Sequence, residues 1–182
     1  VPPVVIVTLH PSTLGAAPAL EAHALTAAMD AVPATYVVTL PNSDPGAALT
    51  RAALVDAARR PRRVAVEALG ERRYWGLMRM ADAMLGNSSS ALVEAPAVHL
   101  PSVNVGDRQR GRERGLNVID APADEEAIAA ALMRALTPSL RGALRDAAPP
   151  FGDGHSAARI VQVLEQWQPP RPPRKRFVED RP

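Results

Sequence analysis

The chain has 182 residues, of which 47% are hydrophobic and only 3% aromatic. This composition excludes a disordered protein and predicts one globular domain with an aliphatic, alanine-rich core. The 21 basic residues nearly balance the 19 acidic ones, so the charge gives no reason to expect nucleic acid as a partner. The absence of cysteine excludes disulfides, thiol nucleophiles and thiolate metal sites.

No apolar run approaches the roughly 18 residues of a membrane-spanning helix, and no signal peptide pattern opens the chain. We therefore expect a cytoplasmic protein with no membrane partner. The sequence begins with Val1-Pro2-Pro3 and enters a strand pattern at once. A start of this kind is more typical of a piece of a longer protein than of a mature chain.

Short apolar runs alternate with helical patterns along most of the chain. Strands are predicted at residues 4–9, 34–40, 63–69, 83–85, 101–105 and 117–119. Helices are predicted at residues 17–32, 47–60, 71–81, 89–95, 124–136, 139–146 and 154–167. This alternation indicates βαβ units and a parallel sheet, and the continuously apolar strands indicate that both of its faces are covered. We therefore predict an α/β, doubly wound, Rossmann-like domain over residues 1–168, followed by a Pro/Arg-rich extended tail at 169–182.

Candidate binding residues follow five of the predicted strands. In doubly wound sheets, ligands bind outside the carboxyl ends of the strands. The five loops therefore predict one binding site at one edge of the sheet. Its candidate residues are His10, Asn42, Asp44, Leu69, Ser88–Ser90 and Gly106–Arg112.

Two of these loops favour an anion. The serines at 88–90 precede a predicted helix, where main-chain N–H groups and the helix dipole attract negative charge. Three arginines at 108, 110 and 112 accompany two glycines, and guanidinium groups bind phosphate bidentately. An N-capping serine cluster followed by a solvated basic loop is the alternative. His10 is either a phosphate donor, an acid/base group or a structural histidine.

Glu94 is the informative carboxylate, six residues after Ser88 in an otherwise apolar turn. A carboxylate repels phosphate, so its expected ligand is a pair of ribose hydroxyls, as in dinucleotide-binding folds. A surface glutamate is the alternative. The chain has neither GxGxxG nor GxxxxGK[ST], which disfavours a standard NAD site and a P-loop. No carboxylate–histidine cluster has metal-ligand spacing, so we expect no metal and no cofactor.

Five segments carry a family resemblance. They are VTLHP at Val7–Pro11, LPNSDPG at Leu40–Gly46, GNSSSALVE at Gly86–Glu94, PSVNVGDRQRGR at Pro101–Arg112 and NVID at Asn117–Asp120. In order and spacing they resemble the C-terminal half of the UDP-N-acetylglucosamine 2-epimerase family. The GNSSS and NVGDRQRGR forms are similar to its hydrolysing branch, which makes ManNAc and UDP or acts on related 2,4-diacetamido sugars. The resemblance implies one half of a glycosyltransferase-B-type architecture, with a UDP-sugar as partner.

The resemblance also implies roles for the candidate residues. Ser88 and Ser89 would bind the diphosphate together with Arg108. His10, as the catalytic candidate, would lie at the diphosphate and the sugar, and Glu94 would bind the ribose hydroxyls.

The remaining implied roles concern the base and the cleft. Asn42 would line the cleft, and the main chain near Leu69 would contact uracil, flanked by Tyr74. The family's N-terminal domain carries most of the proton-transferring carboxylates and is absent from this sequence. The implied partner is that domain or a second copy of the chain, and the chain alone is expected to be inactive. A non-catalytic nucleotide-sugar-binding or regulatory module is the first alternative, and a glycosyltransferase of this architecture is the second.

Overall fold

The computed structural model describes residues 1–13 and 17–169. The strands in this part of the chain are β1 (Val4–Thr8), β2 (Thr35–Thr39), β3 (Arg63–Val66), β4 (Ala83–Gly86), β5 (Ser102–Val105) and β6 (Val118–Ala121). The α-helices are α1 (Pro18–Ala31), α2 (Ala47–Ala57), α3 (Gly70–Met80), α4 (Ser90–Val93), α5 (Glu125–Ala135), α6 (Pro138–Arg145) and α7 (Ser156–Gln166). A short 3₁₀ helix, Ala95–Val98, follows α4.

The strands form one six-stranded sheet in the order β3-β2-β1-β4-β5-β6. All five neighbouring pairs run parallel. This is the strand order of the Rossmann fold, so the prediction of a doubly wound α/β domain is confirmed. The order reverses between β1 and β4, which places the topological switch point, and the crevice outside it, at the ends of these two strands.

The sheet is covered on both faces. Val5 and Val7 of β1 belong to one buried cluster, which also contains Leu25 of α1 and Leu132 of α5. The intervening Ile6 belongs to a second cluster formed with residues of α3 and α4. Because alternate residues of one strand enter different cores, the strand has no polar face, which explains its continuously apolar sequence.

Several predicted boundaries are wrong, two of them for identifiable reasons. The edge strand β3 ends at Val66 rather than at residue 69, because its only neighbour, β2, ends at the paired Thr39. The helix predicted at 89–95 is an α-helix only to Val93 and then a 3₁₀ helix, since Pro96 has no N–H to donate to the preceding turn. Strand β6 lies at Val118–Ala121 rather than at 117–119.

The chain divides into two compact units, Val1–Phe151 and Gly152–Pro182. The first contains the whole sheet, and the second contains α7. The predicted tail at 169–182 lies, apart from Pro169, outside the described residues. Among residues 1–13 and 17–169, no helix has both the length and the apolar character that crossing a membrane requires.

Candidate functional site

The carboxyl ends of β1 and β4 meet in unusually close contact. Gly86, the last residue of β4, has φ +139°, and a Cβ atom built on it would lie 2.0 Å from the carbonyl oxygen of Thr8. Only glycine tolerates both the conformation and the approach. The loops that leave these two strands therefore start side by side, and they carry His10 and the serines.

Asn87 joins the two loops and is fully buried, with 0% exposure. Its Oδ1 accepts a hydrogen bond from the His10 N–H at 2.8 Å, and its Nδ2 donates to the His10 carbonyl oxygen at 2.9 Å. Its own carbonyl oxygen accepts from the Arg108 guanidinium at 3.2 Å and from Gln109 Nε2 at 2.7 Å. One residue thus fixes both the main chain of His10 and the side chain of Arg108.

The imidazole of His10 contacts the loop after β2. Its Nδ1 accepts a hydrogen bond from the Asn42 N–H at 3.1 Å, which in a neutral ring leaves the proton on Nε2. Burial, and then the positive charge of Arg108, lowers the pKa of His10, while Asp44 acts in the opposite direction. The neutral ring is therefore favoured at neutral pH, with Nε2–H as a hydrogen-bond donor.

Arg108 is the arginine of the 106–112 loop that reaches this group. Its side chain is 26% exposed, and its guanidinium lies 4.0 Å from an oxygen of Asp44. Asp44 also accepts a 2.6 Å hydrogen bond from the side chain of Asn42. Arg110 and Arg112 are exposed and have no part in these contacts. The structure therefore brings together His10, Asn42 and Arg108 from the predicted set.

The serine loop presents hydroxyl and N–H donors beside this group. The hydroxyl of Ser88 lies 2.9 Å from that of Ser90, which lies 2.9 Å from the hydroxyl of Tyr74 in α3. The N–H groups of Ser88 and Ser89 have no acceptor among residues 1–13 and 17–169. The predicted attraction of an anion by the helix dipole is small, because α4 has only 4 residues. The hydrogen-bond donors available to an anion here are therefore the hydroxyls, the N–H groups and Arg108.

Glu94 and Leu69 lie away from the contacts around Asn87. Glu94 is half-buried where α4 gives way to the 3₁₀ helix. Burial, and then the neighbouring charge of Glu71, raises the pKa of Glu94. Leu69 precedes the first residue of α3 and is not at a strand end, because β3 ends three residues earlier. Both residues therefore lie on the α3 side of the serine loop, with Tyr74.

Three buried polar residues hold this site together; Ser90 and Gln109 belong to predicted loops but were given no role, and Asn87 was not among the candidates. Asn87, Ser90 and Gln109 are 0%, 8% and 1% exposed. Asn87 had one detectable signal, since it is the first polar residue after the wholly apolar strand β4. Within the described ranges, no group of three or more histidine, aspartate or glutamate residues is placed to hold a metal ion.

Comparison with known proteins identifies the kind of domain and then the family. The model of the UDP-N-acetylglucosamine 2-epimerase family matches residues 2–165. A hydrolysing UDP-N,N'-diacetylbacillosamine 2-epimerase of Legionella pneumophila is 36% identical over 126 residues, which are 69% of this chain and 32% of that protein. A hydrolysing GDP/UDP-N,N'-diacetylbacillosamine 2-epimerase of Campylobacter jejuni is 51% identical over 53 residues, 29% of this chain and 14% of that protein.

Solved structures show the same fold. The UDP-N-acetylglucosamine 2-epimerase of Neisseria meningitidis, bound to UDP-N-acetylglucosamine, superposes with a TM-score of 0.67 and 16% identity, covering 91% of this chain and 44% of that one. The calicheamicin glycosyltransferase CalG4 superposes with a TM-score of 0.57 and 20% identity, covering 91% of this chain and 43% of that one.

The fold and the loops at the strand ends thus define a Rossmann-like domain. Domains of this kind form one half of glycosyltransferase-B-type proteins. The chain belongs to the UDP-N-acetylglucosamine 2-epimerase family and is similar in sequence to members of its hydrolysing branch. It spans about a third of the Legionella relative and less than half of the Neisseria structure.

Proposed function

We propose that this chain is the UDP-binding half of a hydrolysing 2-epimerase. One observation carries the proposal: Asn87 brings His10 and Arg108 together at the switch point of the sheet, beside the donors of the serine loop. Ligands of doubly wound folds bind at this point. The Legionella relative is a hydrolysing UDP-N,N'-diacetylbacillosamine 2-epimerase, and the Neisseria structure holds bound UDP-N-acetylglucosamine.

In this proposal different loops bind different parts of the nucleotide. Arg108 and the hydroxyls and N–H groups of Ser88 and Ser89 hold the diphosphate, because they are hydrogen-bond donors on adjacent loops. The Nε2–H of His10 meets the boundary between diphosphate and sugar.

The rest of the nucleotide would occupy the α3 side of the serine loop. Glu94 binds the ribose hydroxyls as an acceptor, which a carboxylate does well. Uracil lies against the main chain near Leu69, with Tyr74 beside it, and Asn42 lines the cleft.

The parent reaction would eliminate UDP from UDP-N-acetylglucosamine or from a 2,4-diacetamido sugar nucleotide. A base removes the C2 proton, the C1–O bond breaks, and UDP leaves with its electron pair, giving a glycal. Water then adds across the double bond with the epimeric configuration at C2, as in ManNAc. This half contributes by stabilising the charge on the departing diphosphate.

The acid/base groups that move protons at C1 and C2 must come within hydrogen-bond reach of the sugar. We assign them to a second domain or a second copy of the chain, which would close on the nucleotide held here. The chain alone is then expected to bind UDP weakly and not to turn over its substrate.

Calorimetric titration of the 182-residue chain with UDP tests the proposal. UDP is expected to bind saturably, and the double variant Ser88→Ala/Ser89→Ala to bind at least about tenfold more weakly, since two donors to a charged group are removed. Ser139→Ala, an exposed serine in α6, is the matched control and should bind as the parent does. Absence of saturable binding, or equal binding by parent and double variant, would refute the proposal.

A further inference from the structure

Glu21 is a buried carboxylate that the proposed function does not use. It lies in the first turn of α1 and is 1% exposed. The hydroxyl of Ser12 donates to it, at 2.7 Å from one carboxylate oxygen and 3.0 Å from the other. Ser12 is also buried and lies two residues after His10. A carboxylate is seldom enclosed in this way without a specific role.

The carboxylate of Glu21 also lies against the loop after β5. Gly106, the first residue of that loop, has φ +70°, and a Cβ built on it would lie 2.7 Å from Glu21 Oε1. Burial raises the pKa of Glu21, the Ser12 hydrogen bond opposes this, and the charges of Asp107 and Arg108 act in opposite directions. Glu21 is therefore in close contact with the start of the loop that carries Arg108.

Glu21 thus contacts both functional loops without hydrogen-bonding to the functional side chains themselves. On one side it holds Ser12, and with it the loop that carries His10. On the other it sets how closely the main chain at Gly106 can approach α1. Asn87 links the same two loops from the end of β4, so the distance between them is fixed at two independent points.

We infer that Glu21 is a positioning residue: through Ser12 and Gly106 it sets the spacing between the loops after β1 and β5, so that His10 and Arg108 meet the same diphosphate. The inference rests on the proposed function for its ligand. It concerns geometry that exists before any nucleotide binds, and it can therefore be tested separately.

The test compares Glu21→Ala, Glu21→Gln and Ser12→Ala with the parent in the 182-residue chain. Glu126→Ala is the matched control, because Glu126 lies in the first turn of α5 but is exposed. Three quantities are measured: the dissociation constant for UDP, the thermal midpoint, and the NMR resonances of the Asn87 side-chain amide and the Arg108 Nε–H without nucleotide.

Glu21→Ala is expected to weaken UDP binding about tenfold, the lower end of the loss seen when groups that orient metal-binding side chains are removed. It should also shift both resonances, although Glu21 hydrogen-bonds to neither residue. Ser12→Ala should act in the same direction. Glu21→Gln keeps an oxygen for the Ser12 hydroxyl and should resemble the parent more than Glu21→Ala does. The control should change none of the three quantities.

A folded Glu21→Ala chain with unchanged UDP affinity and unshifted resonances would overturn the inference. Should that variant not fold, Ser12→Ala decides on the same two readouts. Should the parent fail to bind UDP, the proposed function falls, and the nucleotide-free resonances alone decide the positioning role: shifted resonances support it, and unshifted ones overturn it.

Discussion

Replacing Asn87 with alanine tests whether one buried side chain holds the site together. The substitution removes the acceptor of the His10 N–H and the donor to the His10 carbonyl oxygen, at 2.8 and 2.9 Å. A polar group that loses its partner in a buried position costs about 1–3 kcal/mol. Two such groups predict a loss of about 2–6 kcal/mol in the free energy of unfolding, because Asn87 is 0% exposed and its partners are cut off from bulk water.

Urea denaturation followed by circular dichroism measures this loss. Asn42→Ala is the matched control, because Asn42 is exposed and, among the hydrogen bonds of the described residues, its side chain pairs with Asp44 alone. The control should differ from the parent by less than about 0.5 kcal/mol. The same Asn87→Ala protein should bind UDP more weakly, since His10 and Arg108 lose their common support. Equal unfolding free energies for Asn87→Ala and Asn42→Ala would refute the reasoning.

Three further predictions use the same measurements. Gly86→Ala should lower the unfolding free energy by more than about 3 kcal/mol, because the added Cβ would strike Thr8. Gly142→Ala is the control: it has open space around it in α6 and should stabilise the chain. Glu94→Gln should raise the thermal midpoint at neutral pH, because burial raises the pKa of Glu94 and the ionised carboxylate opposes folding at that pH. The same variant should bind UDP more weakly. The pKa of His10 is lowered, so the unfolding free energy of the parent should fall as the pH drops below the ordinary value of 6.5. His10→Gln should lack this part of the pH dependence. Identical dependence of the unfolding free energy on pH in the two proteins would contradict this.

The sequence was sufficient to predict the fold and the grouping of the residues that follow the strands. Continuously apolar strands alternating with helices leave few arrangements other than a covered parallel sheet. In such a sheet every strand ends at the same edge, so residues such as His10, Asn42 and Arg108 had to lie near one another. The observed strand order and the contacts through Asn87 agree with that expectation.

The side-chain contacts within the site could not be predicted in the same way. Asn87 and His10 are 77 residues apart, and no periodicity marks a side chain that bonds to distant main chain. Glu94 was predicted to lie within a helix at 89–95, but Pro96 changes the helix type beside it. Glu21 resembles any other acidic residue in a first helical turn, and only the fold shows that it is enclosed between Ser12 and Gly106.

The most direct test of the central claim is to follow the main-chain amide resonances of the chain by NMR during titration with UDP and, separately, with uridine. If the loops at the switch point hold the diphosphate, the amides of Ser88 and Ser89 shift saturably with UDP and much less with uridine, which has no phosphate. Shifts that are equal for the two ligands, or that leave Ser88 and Ser89 unchanged while other regions respond, would contradict the account.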